Sequence, residues 1–288
     1  MLNSMTGFAR AVAETPFGTL TCELRAVNHR YLDVQFRLPE ELRPKEVDLR
    51  TKIGNCLSRG KVECSFHLRR SSASARGLNL NSDLIQQISA SIKDITAAMD
   101  DTRAPDALDV LRWPGVVTDP EIDAEPLFVE ALAILDVALA EMQGMRGSEG
   151  ERIATMLVSR LDDIVVIGAS VRERMPQVLD AVRAKQKERI DKLDLEADPA
   201  RLETELALIA QKLDVDEELD RLESHVNEVR GALDKDEAVG RRLDFLMQEL
   251  NREANTLGSK SADKETTNAA VDLKVLIEQM REQIQNVE

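Results

Sequence analysis

Apolar and polar residues alternate along three short stretches near the start of the chain. The apolar positions are Leu20, Cys22, Leu24 and Ala26, then Leu32, Val34, Phe36 and Leu38, and finally Val62, Cys64, Phe66 and Leu68. A period of two places one face of a strand in a core and the other face in water. The pattern predicts half-buried strands, with residues 1–13 as a further strand, and it leaves one sheet face polar and partly basic.

The remainder of the chain repeats apolar residues at spacings of three and four, which is typical of helices. The pattern predicts helices over about residues 42–57, 82–99, 120–143, 148–193, 199–232 and 239–287, with Asn81 as a cap and a break at Trp113-Pro114-Gly115. A stretch of about 45 residues exceeds ordinary helix lengths and indicates an arm or a helical hairpin that projects from the body. Such arms usually pack against other subunits.

These patterns predict an α+β protein. An N-terminal α+β domain occupies residues 1–118, a helical arm or linker residues 119–200, and a C-terminal helical domain residues 201–288.

Composition places the chain among folded proteins, since 43% of its 288 residues are hydrophobic and 32% are charged. We find no apolar run of the roughly 18 residues that a membrane helix needs, and the first residues do not fit a signal peptide, so we expect a cytoplasmic protein. The cysteines Cys22, Cys56 and Cys64 are odd in number and lack a Cys-x-x-Cys spacing, which favours reduced thiols.

The net charge of −15 argues against a general nucleic-acid binder. Residues 1–75, however, carry a balance of +4, so the rest of the chain carries −19. If the chain binds phosphate, its N-terminal part must supply most of the positive charge. With one Trp, one Tyr and six Phe, an aromatic platform for base stacking is not expected.

Two helical segments carry candidate chemistry on their flanks. In the first, Asp214, Glu218, Arg221 and His225 follow one another at spacings of four, three and four, beside the apolar stripe Val215, Leu219, Leu222, Val226 and Val229. Two carboxylates, a guanidinium and an imidazole can ligate a hard cation, contact a phosphate and move a proton. An ordinary ladder of surface salt bridges explains the same spacing.

In the second segment the apolar stripe is Leu243, Leu246, Met247, Leu250, Ala254 and Leu257. Glu249 and Glu253 flank it on one side, Asp244, Gln248, Asn251 and Asn255 flank it on the other, and Arg252 points away. Paired carboxylates suit Mg²⁺ or Mn²⁺, but they equally suit an arginine on a neighbouring helix. We expect residues 258–261 to interrupt the helix, so that backbone N–H groups and Lys260 cradle a phosphate; a plain helix break is the alternative.

The N-terminal candidates lie between and along the strands. Asn28, His29 and Arg30 sit at a joint between two strands, where functional residues concentrate, although a polar turn gives the same sequence. Arg25, Arg37 and Arg69 lie on the polar sheet face.

Five blocks of the chain resemble the YicC/YloC family in order and spacing. They are residues 1–10 (MLNSMTGFAR), 27–33 (VNHRYLD), 111–116 (LRWPGV), 214–225 (DVDEELDRLESH) and 243–261 (LDFLMQELNREANTLGSKS). The resemblance covers essentially the whole chain. It implies a cytoplasmic endoribonuclease that depends on a divalent metal and assembles as a hexamer around RNA.

From the residues and the resemblance together we predict a metal-dependent endoribonuclease within a closed homo-oligomer. The predicted ligands of Mn²⁺ or Mg²⁺ are Glu218, Glu249 and Glu253, and the predicted catalytic residues are His225, Glu249, Arg252, Glu253 and His29. The predicted RNA-binding residues are Arg25, Asn28, Arg30, Arg37, Arg69, Arg221, Asn251, Asn255 and Lys260.

Two alternatives stay open from the sequence. A metal-independent ribonuclease would use His29 and His225 as an acid–base pair, leave a cyclic phosphate and survive EDTA. A non-catalytic adaptor would use its acidic helices to bind another protein, such as an RNA-degrading enzyme.

Overall fold

The computed structural model of the chain describes residues 2–70, 79–99, 106–118, 124–192, 199–235 and 239–288. The chain forms two compact units. The sheet unit comprises Phe8–Met142, and the helical unit comprises Met1–Gly7 together with Gln143–Glu288. The α+β class is confirmed. The division of the chain into domains at residues 1–118, 119–200 and 201–288 stays a prediction.

A four-stranded sheet forms the centre of the sheet unit. Its strands are β1 (Gly7–Thr15), β2 (Gly18–Val27), β3 (Leu32–Arg37) and β4 (Gly60–Arg70), in the order β1-β2-β4-β3. β2 runs antiparallel to β4, whereas β3 runs parallel to it. The three alternating stretches are therefore strands, as predicted, and the strand predicted over residues 1–13 begins at Gly7.

The apolar face of this sheet is covered by helices. Leu20, Cys22, Leu24 and Val62 are fully buried. They share a core with Leu49 and Ile53 of α1 (Glu46–Cys56), which follows a 3₁₀ turn at Glu40–Lys45, and with the first turns of α4 (Ala124–Asp191). The other face carries the polar residues of the alternation, including Arg25 and Glu63, which lie opposite each other.

A smaller part of the sheet unit carries α2 (Ser82–Ala98), α3 (Ala107–Leu111) and the short pair β5 (Asn79–Leu80) and β6 (Val117–Thr118). Asn81 caps α2 as predicted, because its Oδ1 accepts a hydrogen bond of 3.0 Å from the backbone N–H of Leu84.

The helix α4 corrects the prediction of two helices. It is one helix of 68 residues that includes Gly144 and Gly147, where a break was expected. A glycine inside a helix costs only about 1 kcal/mol. Buried residues on both sides of the glycines, Met142 and Leu157, offset that cost.

The helical unit contains α5 (Pro199–Leu213), α6 (Asp216–Leu233), α7 (Gly240–Lys260) and α8 (Lys264–Ile284). The helix predicted over residues 199–232 is two helices, since the chain leaves helical geometry between α5 and α6 at Asp214–Val215. The helical stretch over residues 239–287 is interrupted, as expected, but the interruption lies at residues 261–263. Asp263 caps the second helix there, because its Oδ1 accepts from the backbone N–H of Thr266 at 2.8 Å.

The two termini of the chain are joined within the helical unit. The backbone groups of Asn3 and Glu288 hydrogen-bond each other in both directions, at 3.2 and 2.9 Å. This N-terminal segment crosses α4 at Gly150, where a Cβ atom would lie 1.8 Å from the carbonyl oxygen of Leu2. Any other residue at that position would displace the segment.

Cys22, Cys56 and Cys64 are free thiols, as expected. Hydrogen bonding to Cys22, together with burial, raises the pKa of the Cys64 thiol. Within the described residues, none of the helices combines the length and the apolar composition needed to cross a membrane.

Candidate active site at the α6–α7 edge

Packing of α6 against α7 brings the two predicted constellations together. The apolar stripes are buried as predicted: Leu219, Leu222, Val226 and Val229 on α6, and Leu243, Leu246, Met247, Leu250, Ala254 and Leu257 on α7, are each at most 4% exposed. The polar flanks of these stripes therefore meet along one side. We call this side the α6–α7 edge and define it as Glu218, Arg221, His225, Glu249, Glu253 and Lys260, together with Arg252, which lies farther from the buried stripe and faces Glu249.

Lys260 and Glu218 close one end of the edge. The Lys260 ammonium donates to both carboxylate oxygens of Glu218 at 3.0 Å and to the backbone carbonyl of Asp214 at 2.6 Å. The Glu218 side chain is only 8% exposed. Because a buried carboxylate is stable only with a partner, Lys260 serves to neutralise Glu218 and to join the end of α7 to the start of α6.

The expected phosphate cradle at residues 258–261 is wrong. α7 continues through Lys260, so Gly258 and Ser259 lie inside the helix. A helix C-terminus exposes carbonyl oxygens, which repel a phosphate. Ser261 hydrogen-bonds to one of these, the carbonyl of Gly258, at 2.8 Å. Asp214 is not part of the predicted row of charged residues on α6, because it precedes the helix. Its carboxylate accepts a hydrogen bond of 3.0 Å from the backbone N–H of Asp216.

Arg221 lies in the middle of the edge between two carboxylates. It hydrogen-bonds to Glu217 one turn before it and lies 4.0 Å from the Glu253 carboxylate of α7. Glu253 is buried, with a side chain 4% exposed, whereas the Arg221 side chain is 51% exposed. The guanidinium is therefore positioned by two carboxylates, while about half of the side chain stays exposed to solvent. This arrangement leaves N–H groups accessible to a phosphate.

His225 lies one helical turn beyond Arg221. Its Nδ1 atom is buried and has no hydrogen-bond partner among the residues that the structure describes, and a carboxylate oxygen of Glu228 lies 3.8 Å away. The side chain as a whole is 20% exposed. A buried ring nitrogen without a partner costs free energy, so the His225 imidazole beside Arg221 is a candidate for a functional contact.

The other predicted residues of α7 are placed as follows. Glu249 lies 3.8 Å from Arg252, whose side chain is 71% exposed. On the opposite flank, Asn255 donates to Asn251 at 2.7 Å and Gln248 donates to Asp244 at 3.0 Å. The side-chain amides of Gln248 and Asn255 thus find hydrogen-bond partners on α7 itself.

The three predicted metal ligands, Glu218, Glu249 and Glu253, each lie beside a cationic side chain of the protein. Among the described residues, no group of three or more His, Cys, Asp and Glu side chains could hold a metal ion. Glu218 is held by Lys260, Glu253 faces Arg221, and Glu249 faces Arg252. Cations of the protein thus occupy the neighbourhood of each carboxylate where Mn²⁺ or Mg²⁺ was expected.

The N-terminal candidates belong to the sheet unit. His29 Nδ1 lies 2.9 Å from the backbone carbonyl of Tyr31, and the Arg30 guanidinium lies over the Tyr31 ring, 5.2 Å from its centre. Asn28 belongs to the same exposed connection between β2 and β3, and Arg25, Arg37 and Arg69 are exposed on their strands. His29 and His225 lie in different compact units.

One contact of the edge was missed from the sequence. Glu217 binds Arg221 on the same helix, and their spacing of four residues was the pattern that could have shown it.

Comparisons with known proteins cover the whole chain. Residues 2–155 match the family model described as "Endoribonuclease YicC-like, N-terminal region", and residues 171–288 match "Endoribonuclease YicC-like, C-terminal". A protein of Haemophilus influenzae named "Probable endoribonuclease YicC" is 46% identical over 288 residues, with 100% of both chains covered. A protein of the same name from Clostridioides difficile is 31% identical over 295 residues, again with 100% of both covered. The α6–α7 edge lies within the second matched region, and the chain belongs to the YicC-like endoribonuclease family.

Proposed function

We propose that this protein is an endoribonuclease that cleaves internal phosphodiester bonds of RNA at the α6–α7 edge. The observation that carries the proposal is the buried, unpartnered Nδ1 of His225, one turn from the half-exposed Arg221. RNA cleavage requires a proton transfer and stabilisation of negative charge on the phosphate. An imidazole and a guanidinium supply these two functions.

Each residue of the edge has a role in this proposal. Arg221 and the exposed Arg252 contact the scissile phosphate, and His225 transfers the proton. Glu253 orients Arg221, and Glu249 orients Arg252. Lys260, which was predicted to bind RNA, instead positions α6 against α7 through Glu218.

The contacts support proton transfer more than they support the predicted metal. Dependence on Mn²⁺ or Mg²⁺ stays a prediction, and the pairing of Glu218, Glu249 and Glu253 with cations does not favour it. No step of the proposed reaction is assigned to a metal.

The activity belongs to a closed homo-oligomer in this proposal, with six subunits by the family resemblance. Exposed valines on the part of α4 that belongs to the sheet unit support it: Val129 and Val137 are 64% and 52% exposed. Apolar side chains repeated along a helix indicate a surface that another subunit covers. Light scattering on the purified protein measures the subunit number, and an active monomer would contradict this part.

The test of the proposal is incubation of the pure protein with an end-labelled RNA, in EDTA and in Mn²⁺. We expect internal cuts. A product ending in a 2′,3′-cyclic phosphate, formed in EDTA, supports attack by the RNA 2′-hydroxyl with His225 as proton carrier. Cleavage that appears only with Mn²⁺ supports the prediction that the activity depends on a divalent metal. RNA that stays intact under both conditions contradicts the nuclease and favours an adaptor.

A further inference from the structure

Strand β4 extends beyond its neighbour β3 at one edge of the sheet. The parallel pairing ends at Arg37 opposite Ser65, whereas β4 continues to Arg70. Over these last residues β4 pairs with β2 on its other side. The chain after β3 turns away through Leu38 and Pro39 into the 3₁₀ turn. These bounds leave a groove of about 600 Å³, which we call the edge groove.

The edge groove combines apolar walls with positive charge. Its lining includes Phe36, Leu38 and Pro39 on one side, and Arg37, Arg43 and His67 provide its polar groups. A carboxylate, that of Glu46, also lines it, but Glu46 accepts from Arg50 at 2.7 Å and is neutralised. A volume of about 600 Å³ lies within the range of small-ligand sites.

Some arginines of the sheet unit are paired with carboxylates, and others, including those of the groove, are not. Arg10, Arg50 and Arg70 each lie within 3.3 Å of a glutamate. Arg37 and Arg43 form no ion pair or hydrogen bond through their guanidinium groups within the part of the chain that the structure describes. Arg25 and Arg69 are likewise without an ion pair among the described residues, so what sets the groove apart is that two such arginines line it together with apolar side chains.

We propose that the edge groove binds one nucleotide unit of the RNA strand, as an anchoring subsite on the sheet unit. Arg37 and Arg43 hold the phosphate, and Phe36, Leu38 and Pro39 contact the ribose and base. The subsite rests on the proposed function for the identity of its ligand, but it lies in a different compact unit from the α6–α7 edge.

The exposed edge of β4 could instead pair with a peptide strand, and one feature disfavours that occupant. The end of β4 carries Arg69 and Arg70 in succession, and charged residues on an edge strand oppose pairing with another strand.

The experiment measures binding of a short fluorescein-labelled single-stranded RNA by fluorescence anisotropy at several salt concentrations. RNA integrity is checked on a gel after each titration. We compare Arg43→Ala with Lys93→Ala, which also removes one exposed positive charge from the sheet unit but lies on α2. Circular dichroism confirms that both variants fold.

Loss of one charged phosphate contact corresponds to roughly tenfold weaker binding. We therefore expect Arg43→Ala to raise Kd about tenfold and to make the slope of log Kd against log salt shallower by about 0.7. Arg37→Ala should behave in the same way, and Lys93→Ala should bind RNA like the wild type.

The outcomes separate this subsite from the nuclease. If RNA is cut but Arg37→Ala and Arg43→Ala bind like Lys93→Ala, the subsite is wrong and the nuclease stands. If RNA is not cut but binding depends on both arginines, the subsite stands and the nuclease is wrong. If the wild type binds no RNA, both are wrong. Equal displacement of the RNA by polyglutamate would show a general anion surface and would also overturn the nucleotide subsite.

Discussion

The α6–α7 edge and the edge groove both carry basic side chains, but these side chains have different partners. On the α6–α7 edge, Arg221 contacts Glu217 and Glu253, and Lys260 is bound by Glu218. In the edge groove, the guanidinium groups of Arg37 and Arg43 contact no carboxylate among the described residues. A paired cation such as Arg221 is held in a fixed position and can still offer exposed N–H groups to a phosphate, whereas an unpaired cation gives up no ion pair when it binds a polyanion.

Net charge alone does not show which cations of a chain are free of carboxylate partners. A chain of −15 was expected to hold phosphate through its basic N-terminal part. The contacts refine that expectation, since several N-terminal arginines are already paired with glutamates. The number of unpaired cations on a surface, rather than the charge of a segment, indicates its affinity for phosphate.

The largest effect is expected from His225→Ala. If the α6–α7 edge is the reaction site, loss of the imidazole lowers the cleavage rate by about 10²–10⁴-fold, the usual contribution of a general acid or base. The rate is measured with saturating labelled RNA. Glu228→Gln is the control, because it changes the carboxylate 3.8 Å from His225 without removing the ring.

His29→Ala tests the same comparison from the sheet unit. An equal loss of cleavage in His29→Ala would support an acid–base pair contributed by both units. A rate near wild type in His225→Ala would remove the α6–α7 edge from the reaction.

A smaller effect is expected from Glu218→Gln. The change leaves Lys260 without its anion, and we expect the free energy of unfolding to fall by about 2 kcal/mol, less than for a fully buried pair because Lys260 is 29% exposed. The matched variant in the sheet unit is Glu41→Gln, whose partner Arg70 is 43% exposed. We expect this variant to lower the free energy of unfolding by less than about 1 kcal/mol. Urea unfolding followed by circular dichroism measures both.

The double variant Glu218→Gln/Lys260→Met removes both charges and should recover part of the stability. Equal losses in Glu218→Gln and Glu41→Gln would mean that the Lys260–Glu218 pair does not act as a buried contact.

Local patterns in the sequence were enough to predict much of the fold. The period of two placed Leu20, Cys22 and Leu24 in the core, and the period of three and four placed Leu222 and Leu250 there, because burial follows the geometry of one strand or one helix. The cap at Asn81 could be predicted for the same reason, since its hydrogen bond reaches only three residues along the chain.

Contacts between distant residues could not be predicted in this way. Glu218 and Lys260 are 42 positions apart, and their pairing requires α6 to lie antiparallel to α7. The edge groove depends on the order β1-β2-β4-β3 and on where β3 ends, neither of which alternation specifies. The expected break of α4 at Gly144 is absent, because the burial of apolar side chains on both sides of it outweighs the low helix propensity of glycine.

The smallest effect on the free energy of unfolding is expected from removing a helix cap in each unit, Asp263 of α8 and Asn81 of α2. Each accepts a backbone N–H, so Asp263→Ala and Asn81→Ala should each lower the free energy of unfolding by about 1 kcal/mol at neutral pH. They should differ in acid. Burial alone would raise the pKa of Asp263, but hydrogen bonds from Thr266 and the ion pair with Arg174 outweigh it and lower that pKa.

A lowered pKa in the folded protein means that the Asp263 contribution is complete above the ordinary aspartate value of about 3.9 and is lost as the pH falls through the folded value. The Asn81 amide does not titrate, so its contribution should persist. We therefore expect the difference between wild type and Asp263→Ala to shrink in urea titrations carried from pH 7 down to about pH 3, while the difference for Asn81→Ala stays constant. If both differences were constant, the Asp263 cap would act through its shape alone, and the ion pair with Arg174 would not contribute to the stability of the helical unit.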